Sequence, residues 1–340
     1  MSTVATTVPK GRTFIRSLIA RSVSACSSVE GMARFTSARW GNYQGDLVSK
    51  AAVSAITQNE VGEYAAQEFF GLVMERSLLR RMSGFRRIPF RTNMLKVVNG
   101  AIGYWTAESK PVPVSKQSLV GSTIHPLKVN CIICVTEEAI NTAGDITEAG
   151  LQTDMERAVV DSLDLALLDA TNAGVVDERP ASITYGAPSI AASADAAADV
   201  TDLINLFDGD LGAAYFVTDS ATATNMAMLR NASGALVFPD VGARGGSVIG
   251  IPLLISRASP VDSSGGQLAL IDPTGIAYAA DPIAVDKAQH ATIAMSDDPE
   301  SDPEQVSLWQ TNTVAFKSSL PANWEVQRTG GVAYLSGAGW

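Results

Sequence analysis

Residues 88–124 most limit how this 340-residue chain can fold. The pattern is extended, with turn chemistry: Val97-Val98 precede Asn99-Gly100, a strong hairpin dipeptide, and Ala101-Ile102-Gly103-Tyr104-Trp105-Thr106 reads as the return strand. Pro111 and Pro113 then keep the stretch from Ser109 to Ser118 extended and unable to fill a central strand. A two-stranded excursion this long, with so few apolar residues, cannot fold alone and has to lie on another body.

Charge divides the chain in the same sense. Residues 1–128 hold 17 Lys or Arg and 7 Asp or Glu, net +10, whereas residues 129–340 hold 8 and 28, net −20. A basic third and an acidic two thirds predict that one part of the chain meets another, within a subunit or between subunits. The total of −10 makes the protein a poor sequence-independent binder of nucleic acid, since it repels phosphates. The length suggests two or three domains, and a composition 46% hydrophobic and 18% charged reads as globular.

Periodicity organises the rest. Residues 1–60 read as a weakly structured arm of short amphipathic pieces: Phe14, Ile15, Leu18 and Ile19 among Arg12, Arg16 and Arg21; then Met32 and Phe35; then Leu47, Val48, Ala51, Ala52 and Ile56. A firmer helix is predicted from Glu63 to Met82, with Ala66, Phe70, Met74, Leu78 and Met82 at steps of four. It ends in Arg76, Arg80 and Arg81, followed by Arg86, Arg87 and Arg91. Six arginines in 16 residues exceed what a helix dipole needs and point to an acidic partner surface. The run Val129 to Val135 is a strand. The longest helix is predicted over Asp145 to Thr171, with a capping-box spacing at Asp145 and Glu148 and a stop at Asn172-Ala173-Gly174. Leu151, Met155, Val159, Leu163 and Leu167 form its buried stripe, and Asp154, Glu156, Asp161, Asp164 and Asp169 its outer acidic face. Residues 175–198 read as a Pro/Ala/Ser-rich linker. An α/β region follows, with helices at Val200–Phe207 and Asp219–Leu229 and strands at Ala214–Thr218, Val248–Ser256 and Gln267–Ile271. The acidic connector Asp297–Glu304 precedes two last strands, Val306–Phe316 and Trp324–Arg328, with Trp309 and Trp324 as core anchors.

Several function classes fall away. The longest apolar run, Val248 to Ile255, is far short of the roughly 18 residues that span a bilayer. The first 29 residues are acid-free, and Val23-Ser24-Ala25-Cys26 is faintly like a lipoprotein cleavage site; an Arg- and Ser-rich start of this kind also fits an organelle transit peptide. Arg16 and Arg21 interrupt any export-type apolar stretch, so a cytosolic product is expected. Cys131 and Cys134 are spaced three apart in a strand, which turns the thiols to opposite faces and argues against a zinc corner or redox pair. His125 and His290 have no partner at ligand spacing, and no nucleophile-elbow, phosphate-loop or dinucleotide motif occurs. An enzyme would have to rest on the carboxylates of the long helix or on Ser/Asp pairs. No catalytic, cofactor or metal residue is assigned, and no cofactor is expected.

One resemblance covers residues 60–330. Tyr104-Trp105-Thr106-Ala107-Glu108 with Pro111, Pro113 and Ser115 is followed by Val135-Thr136-Glu137-Glu138 ahead of the long helix. A second set is Leu229 with Gly234, Ile249-Gly250-Ile251-Pro252-Leu253 and Leu270-Ile271-Asp272. In order and spacing this resembles the major capsid proteins of tailed bacteriophages with the Hong Kong 97 fold. The resemblance implies an α+β subunit: an N-terminal arm at 1–62 that acts as a scaffold-like segment or persists as an interlocking arm, an arm helix at 63–85, and an extended loop at 86–125. A peripheral domain built on the long spine helix would take 126–195 and 301–340, and an axial α/β domain 196–300. It implies self-assembly into hexamers and pentamers of an icosahedral head that encloses double-stranded DNA without recognising it. Portal, scaffold, protease or decoration proteins would be partners, with no membrane; the subunit would be made in the host cytoplasm and end in the virion.

Intersubunit contacts are then expected at Arg80, Arg81, Arg86, Arg87, Arg91, Trp105, Glu108, Asp154, Asp161 and Asp164. Some family members join subunits by an isopeptide bond, for which Lys110 or Lys116, Asn323 and Glu325 are the candidates here. A maturation cut would fall near Lys50/Ala51. Rival readings are an encapsulin-type compartment shell, which shares the fold but encloses cargo enzymes, and a soluble α/β protein of another role.

Overall fold

A computed structural model describes residues 11–22, 29–57, 69–99, 104–114, 118–142, 145–282, 284–296, 304–328 and 330–340. Side chains of 140–151 other than Gly150 are outside that description, and with them the expected cap at Asp145 and Glu148 and the stripe position Leu151. Lys116 and the acidic connector before Glu304 lie outside it too. The chain divides into two compact units, residues 1–76, 129–160 and 281–320 in one, and 77–128, 161–280 and 321–340 in the other.

In the first unit the arm segments are helices at Arg12–Ser22, Val29–Trp40 and Asn42–Thr57. They are not loosely structured, as their marginal individual lengths suggest, because they pack on one another. Phe14, Ile15, Ile19, Ala20, Met32, Val48, Ala51 and Ala52 are buried, while Leu47 is exposed and drops out of the expected stripe. Arg16 is also buried rather than flanking: its guanidinium lies 5.6 Å from the Trp40 ring centroid and donates to Gln44 Oε1 at 2.8 Å. Gly41 at φ +82° separates the second and third helices, and Gly45 lets them cross closely, since a Cβ there would stand 2.5 Å from the Thr36 backbone.

A further helical stretch, 69–76, buries Phe69, which stacks on Phe14 with centroids 4.9 Å apart. The spine helix is Asp145–Leu168. In its first half Met155 and Val159 are buried as expected, but so is Glu156, at 1% exposure, which corrects the reading of an unbroken acidic outer face. Glu156 accepts from Gln152 Nε2 at 2.7 Å and pairs with Arg76 at 3.1 Å. The strand Lys128–Thr136 pairs with Thr313–Val326, which also pairs antiparallel with Ala284–Ala288, Ala288 opposite Ala315. Trp309 is not a core anchor: it sits in the turn before Thr313–Val326 and is 71% exposed.

In the second unit the helix that was expected to reach Met82 stops at Ser77. That residue is extended, at φ −70° and ψ 147°, and caps a new short helix, Leu78–Arg81. The ribbon pairs Asn93–Asn99 with Ser118–Thr123, Asn99 opposite Ser118. Asn99 therefore pairs with Ser118 and not with the expected return strand; residues 100–103 of that expectation lie outside the described residues, and Tyr104–Thr106 form no strand.

The main sheet of this unit runs in the order Ser189–Ala191, Val332–Ala338, Gly265–Ile271, Tyr215–Thr218, Ile251–Ile255, Gly245–Val248 and Val241–Gly242. Helices Ala196–Leu206 and Ser220–Met228, capped by Asp195 and Asp219, contribute Val200, Leu203, Ala223 and Met226 to a core with Phe216, Leu253, Leu268, Leu270 and Leu335. The single strand expected at Val248–Ser256 is two strands, because Ile249 and Gly250, both at positive φ, reverse the chain. Residues 175–195 are not a free linker: Ser182, Ile183 and Thr184 are buried, and both hydroxyls donate to spine-helix carbonyls, those of Leu167 and Leu168. Trp324 is buried as expected, in a strand that continues through Pro321 from Thr313 instead of starting afresh.

Two substitutions test this packing. A Cβ on Gly266 would fall on Thr222 Oγ1 and Asp219 Oδ1 at the helix cap, so Gly266→Ala is expected to lower stability by about 3 kcal/mol in urea titration. Arg76→Ala strands the Glu156 carboxylate; with Arg76 itself more than half exposed the expected loss is about 1–2 kcal/mol, and adding Glu156→Gln should restore most of it.

Candidate functional site

The arginine-rich segment combines two kinds of cation. Arg81 and Arg87 are tied down within the second unit, Arg81 Nη1 donating to the Ile255 carbonyl and Arg87 Nη2 to the Ala280 carbonyl at 3.1 Å. Arg86 and Arg87 form a two-residue strand parallel to Ile276–Ala280, which presents both side chains as exposed. Arg80 and Arg91 are exposed as well, and among the described residues none of Arg80, Arg86 and Arg91 makes an ion pair. Arg91 holds φ +59° while its amide donates to the Ile124 carbonyl at 2.9 Å; this left-handed turn leads into the Asn93–Asn99 ribbon.

Beyond the ribbon all of residues 104–114 are exposed, with Ser109 at φ +65°. Trp105 is fully exposed, and Val112 and Val114 are exposed to 67% and 92%. An isolated soluble subunit has no reason to hold four large apolar side chains, these three and Tyr104, on one loop in water. Glu108 and Lys110 share the loop.

The spine helix's acids part company. Asp154 is exposed and Asp161 half-buried, as surface groups can be. Asp164 is 2% exposed and enclosed by its own subunit: Oδ1 accepts from the Ser77 hydroxyl at 2.9 Å and the Leu78 amide at 3.0 Å, and Oδ2 from the Ser256 hydroxyl at 3.0 Å. That corrects its place among the outward-facing contacts. Sequence reasoning passed over Ser77 and Ser256, which carry no signal beyond their type.

The candidates for an isopeptide crosslink are not brought together among the described residues. Asn323 is occupied within its subunit, Nδ2 donating to the His125 carbonyl at 2.7 Å and Oδ1 accepting the Trp324 amide. Among the described residues no hydrogen bond or ion pair joins Lys110 to Asn323 or Glu325. No group of three or more His, Cys, Asp or Glu could hold a metal among the described residues. Burial pushes the Cys131 and Cys134 thiols up from their ordinary value, away from the thiolate that redox or metal chemistry needs. A cavity of about 590 Å³ lies between residues 194–197 and 229–237, but Asp195 there caps the Ala197 and Ala198 amides and Arg230 donates to the Gly234 carbonyl. No described helix is long and apolar enough to cross a membrane.

Comparison with known proteins identifies the family and the fold. The sequence profile of the phage capsid family matches residues 61–336. A capsid polyprotein of Pseudomonas phage PAJU2 is 30% identical over 321 residues, 86% of this chain; the chain spans about half, 48%, of that relative's length. A solved structure from Mycobacterium phage Adephagia superposes with TM-score 0.55 at 17% identity, covering 76% of this chain and 89% of that one. The capsid of a native GTA particle does so with TM-score 0.54 at 16% identity, covering 76% and 88%. With four fifths of its length matched and its α+β architecture shared, the chain belongs to the phage capsid family, the tailed-bacteriophage major capsid proteins of the Hong Kong 97 fold.

Proposed function

We propose that this subunit self-assembles into the hexamers and pentamers of an icosahedral head that encloses double-stranded DNA. The observation that carries the reading is the fully exposed 104–114 loop with Trp105 near its start, together with the exposed Arg80, Arg86 and Arg91, which make no ion pair among the described residues. A second copy supplies what both features lack. Its surface would bury the aromatic and valine side chains, and the acidic part of the chain, Asp154 and Asp161 included, would receive the arginines. Arg81, Arg87 and Glu108 lie beside these contacts. In domain terms, 86–125 acts as the extended loop, 126–195 with 301–340 as the peripheral domain and 196–300 as the axial domain, preceded by the arm and arm helix. The subunit acts without cofactor and without catalysis, is made in the host cytoplasm and resides in the virion, where portal, scaffold, protease or decoration proteins are its further partners. The phage source of the curated relative supports this over a cargo-enclosing compartment.

The arm persists in the shell on this reading. The Lys50–Ala51 bond lies inside the helix Asn42–Thr57, with Ala51 and Ala52 at 1% and 0% exposure, so a protease would first have to unwind packed helix. Intact mass of protein from particles is expected to include the arm; a species starting at Ala51 would reverse that. Denaturing gels are expected to show monomer-sized bands only, without a Lys110–Asn323 crosslink.

Charge reversal tests the assembly itself. Arg86→Glu with Arg91→Glu should abolish closed shells in negative-stain images while leaving the far-ultraviolet circular dichroism unchanged, and Trp105→Ala should weaken assembly at least tenfold in the concentration required. Shells that form normally from both variants would sink the reading, and particles holding a protein cargo instead of nucleic acid would favour the compartment.

A further inference from the structure

Asp164, 2% exposed, takes its hydrogen bonds from one backbone amide and two rotatable hydroxyls that lie far from it in sequence. It joins three parts of the second unit: the spine helix that bears it, the elbow at Ser77-Leu78, and the end of the strand Ile251–Ile255 at Ser256. Arg81, from the short helix after the elbow, is the charged group that acts on it, while its own Nη1 is committed to the Ile255 carbonyl. The nearest charged residues along the other two elements are Asp161, half-buried on the spine helix, and Arg257, exposed beside Ser256.

Three donors do not replace the hydration that an ionised carboxylate loses. Burial is the largest influence on Asp164 and pushes its pKa from 3.8 to about 6, against the Leu78 amide, the Ser77 and Ser256 hydroxyls and Arg81. The geometry accepts the neutral form without loss. A proton taken from solvent onto Oδ2 can be donated to Ser256 Oγ, whose own hydrogen rotates away, and Oδ1 keeps both the Ser77 hydroxyl and the Leu78 amide. Ser256 Oγ already serves as an acceptor, for the Ala258 amide at 3.3 Å.

We propose that Ser77, Asp164 and Ser256 form a proton-operated catch, which mild acid tightens by neutralising the carboxylate while every bond to the elbow and the strand end is kept. The folded value lies above the unfolded 3.8, so the folded subunit holds one extra proton between about pH 4 and about 6. The stabilisation is complete below the unfolded value and is lost as pH rises through about 6. The catch is internal to one subunit, so its loss and a loss of assembly are separately observable.

The test is thermal unfolding of the full chain and of Asp164→Asn across about pH 4.5 to 7.5, the unfolded and folded values falling below and within that range. Asparagine reproduces the protonated form: Oδ1 retains Ser77 and Leu78, and Nδ2 donates to Ser256. The variant is expected to melt at or above the wild type at the alkaline end, with the gap moving in favour of the wild type by about 3 °C or more on acidification. A gap that stays constant across the range overturns the catch. Should Asp164→Asn not fold, infrared titration of the carboxyl serves, because Ser256→Ala removes a donor to the ionised form and should move the midpoint upward from about 6. An unmoved midpoint, or no carboxyl titrating near 6 in the wild type, overturns it equally.

Discussion

A helix that restarts at Ser77 exposes amide groups that have no intrahelical partner, and here they are buried, where an unpaired N–H costs about 1–3 kcal/mol. Ser77 Oγ takes the Leu79 amide and Asp164 takes the Leu78 amide and the Ser77 hydroxyl. The same carboxylate holds Ser256, so the elbow, the spine helix and the end of the strand Ile251–Ile255 share a single electrostatic anchor. Everything downstream of the elbow, from the parallel strand Arg86–Arg87 to the extended ribbon, starts from a direction fixed there. A continuous helix would place the arginines on a turn of helix instead of on a sheet edge with both side chains exposed.

The fate of the charges follows from which ones the fold consumes. Asp195, Asp219 and Asp272 cap helices, Asp262 closes a turn by accepting from Ser264 and Gly265, and Glu156 and Asp164 are buried. The −20 of residues 129–340 is therefore in part internal, and the acidic surface is smaller than the count on the sequence. The arginines are consumed less: Arg76, Arg81 and Arg87 have partners at hand, and among the described residues Arg80, Arg86 and Arg91 make no ion pair. Net charge by segment therefore overstates the acidic surface more than the basic one.

Elements whose period matches a single buried face were legible in the sequence: the arm helices, the strand Lys128–Thr136, the stripe Met155, Val159, Leu163 and Leu167, and the capped helix after Asp219. What escaped has a physical reason in each case. Glu156 and Asp164 each follow a stripe residue directly, about 100° around the helix, so a helix buried beyond one stripe takes them inside, where Arg76 and the serines supply partners. The Ile249-Gly250 reversal hides in an apolar run because Ile249, at φ +53°, is an improbable residue for the left-handed region. Val332–Ala338 is small and Gly-containing and shows no β-branched run, yet it pairs along Gly265–Ile271 and buries Leu335. The exposure of Arg80, Arg86, Arg87 and Arg91 was legible from their charge; the inward course of Asp164 was not, since it depends on residues 87 and 92 positions away.

The exposed loop sets an energetic condition on the assembly proposed above. Burying one Trp removes on the order of 200 Å² from water, a gross gain of about 5 kcal/mol. Ordering a free loop of comparable length would cancel it, at about 1–2 kcal/mol per residue. The ribbon Asn93–Asn99 with Ser118–Thr123 fixes both ends of the loop before any neighbour arrives, which lowers that cost without removing it. One such contact is weak by itself. In the closed ring proposed above each subunit would both give and receive the loop, and the last contact would form at the effective concentration set by all the others, so that marginal pairs add up to a stable assembly without any single tight interface.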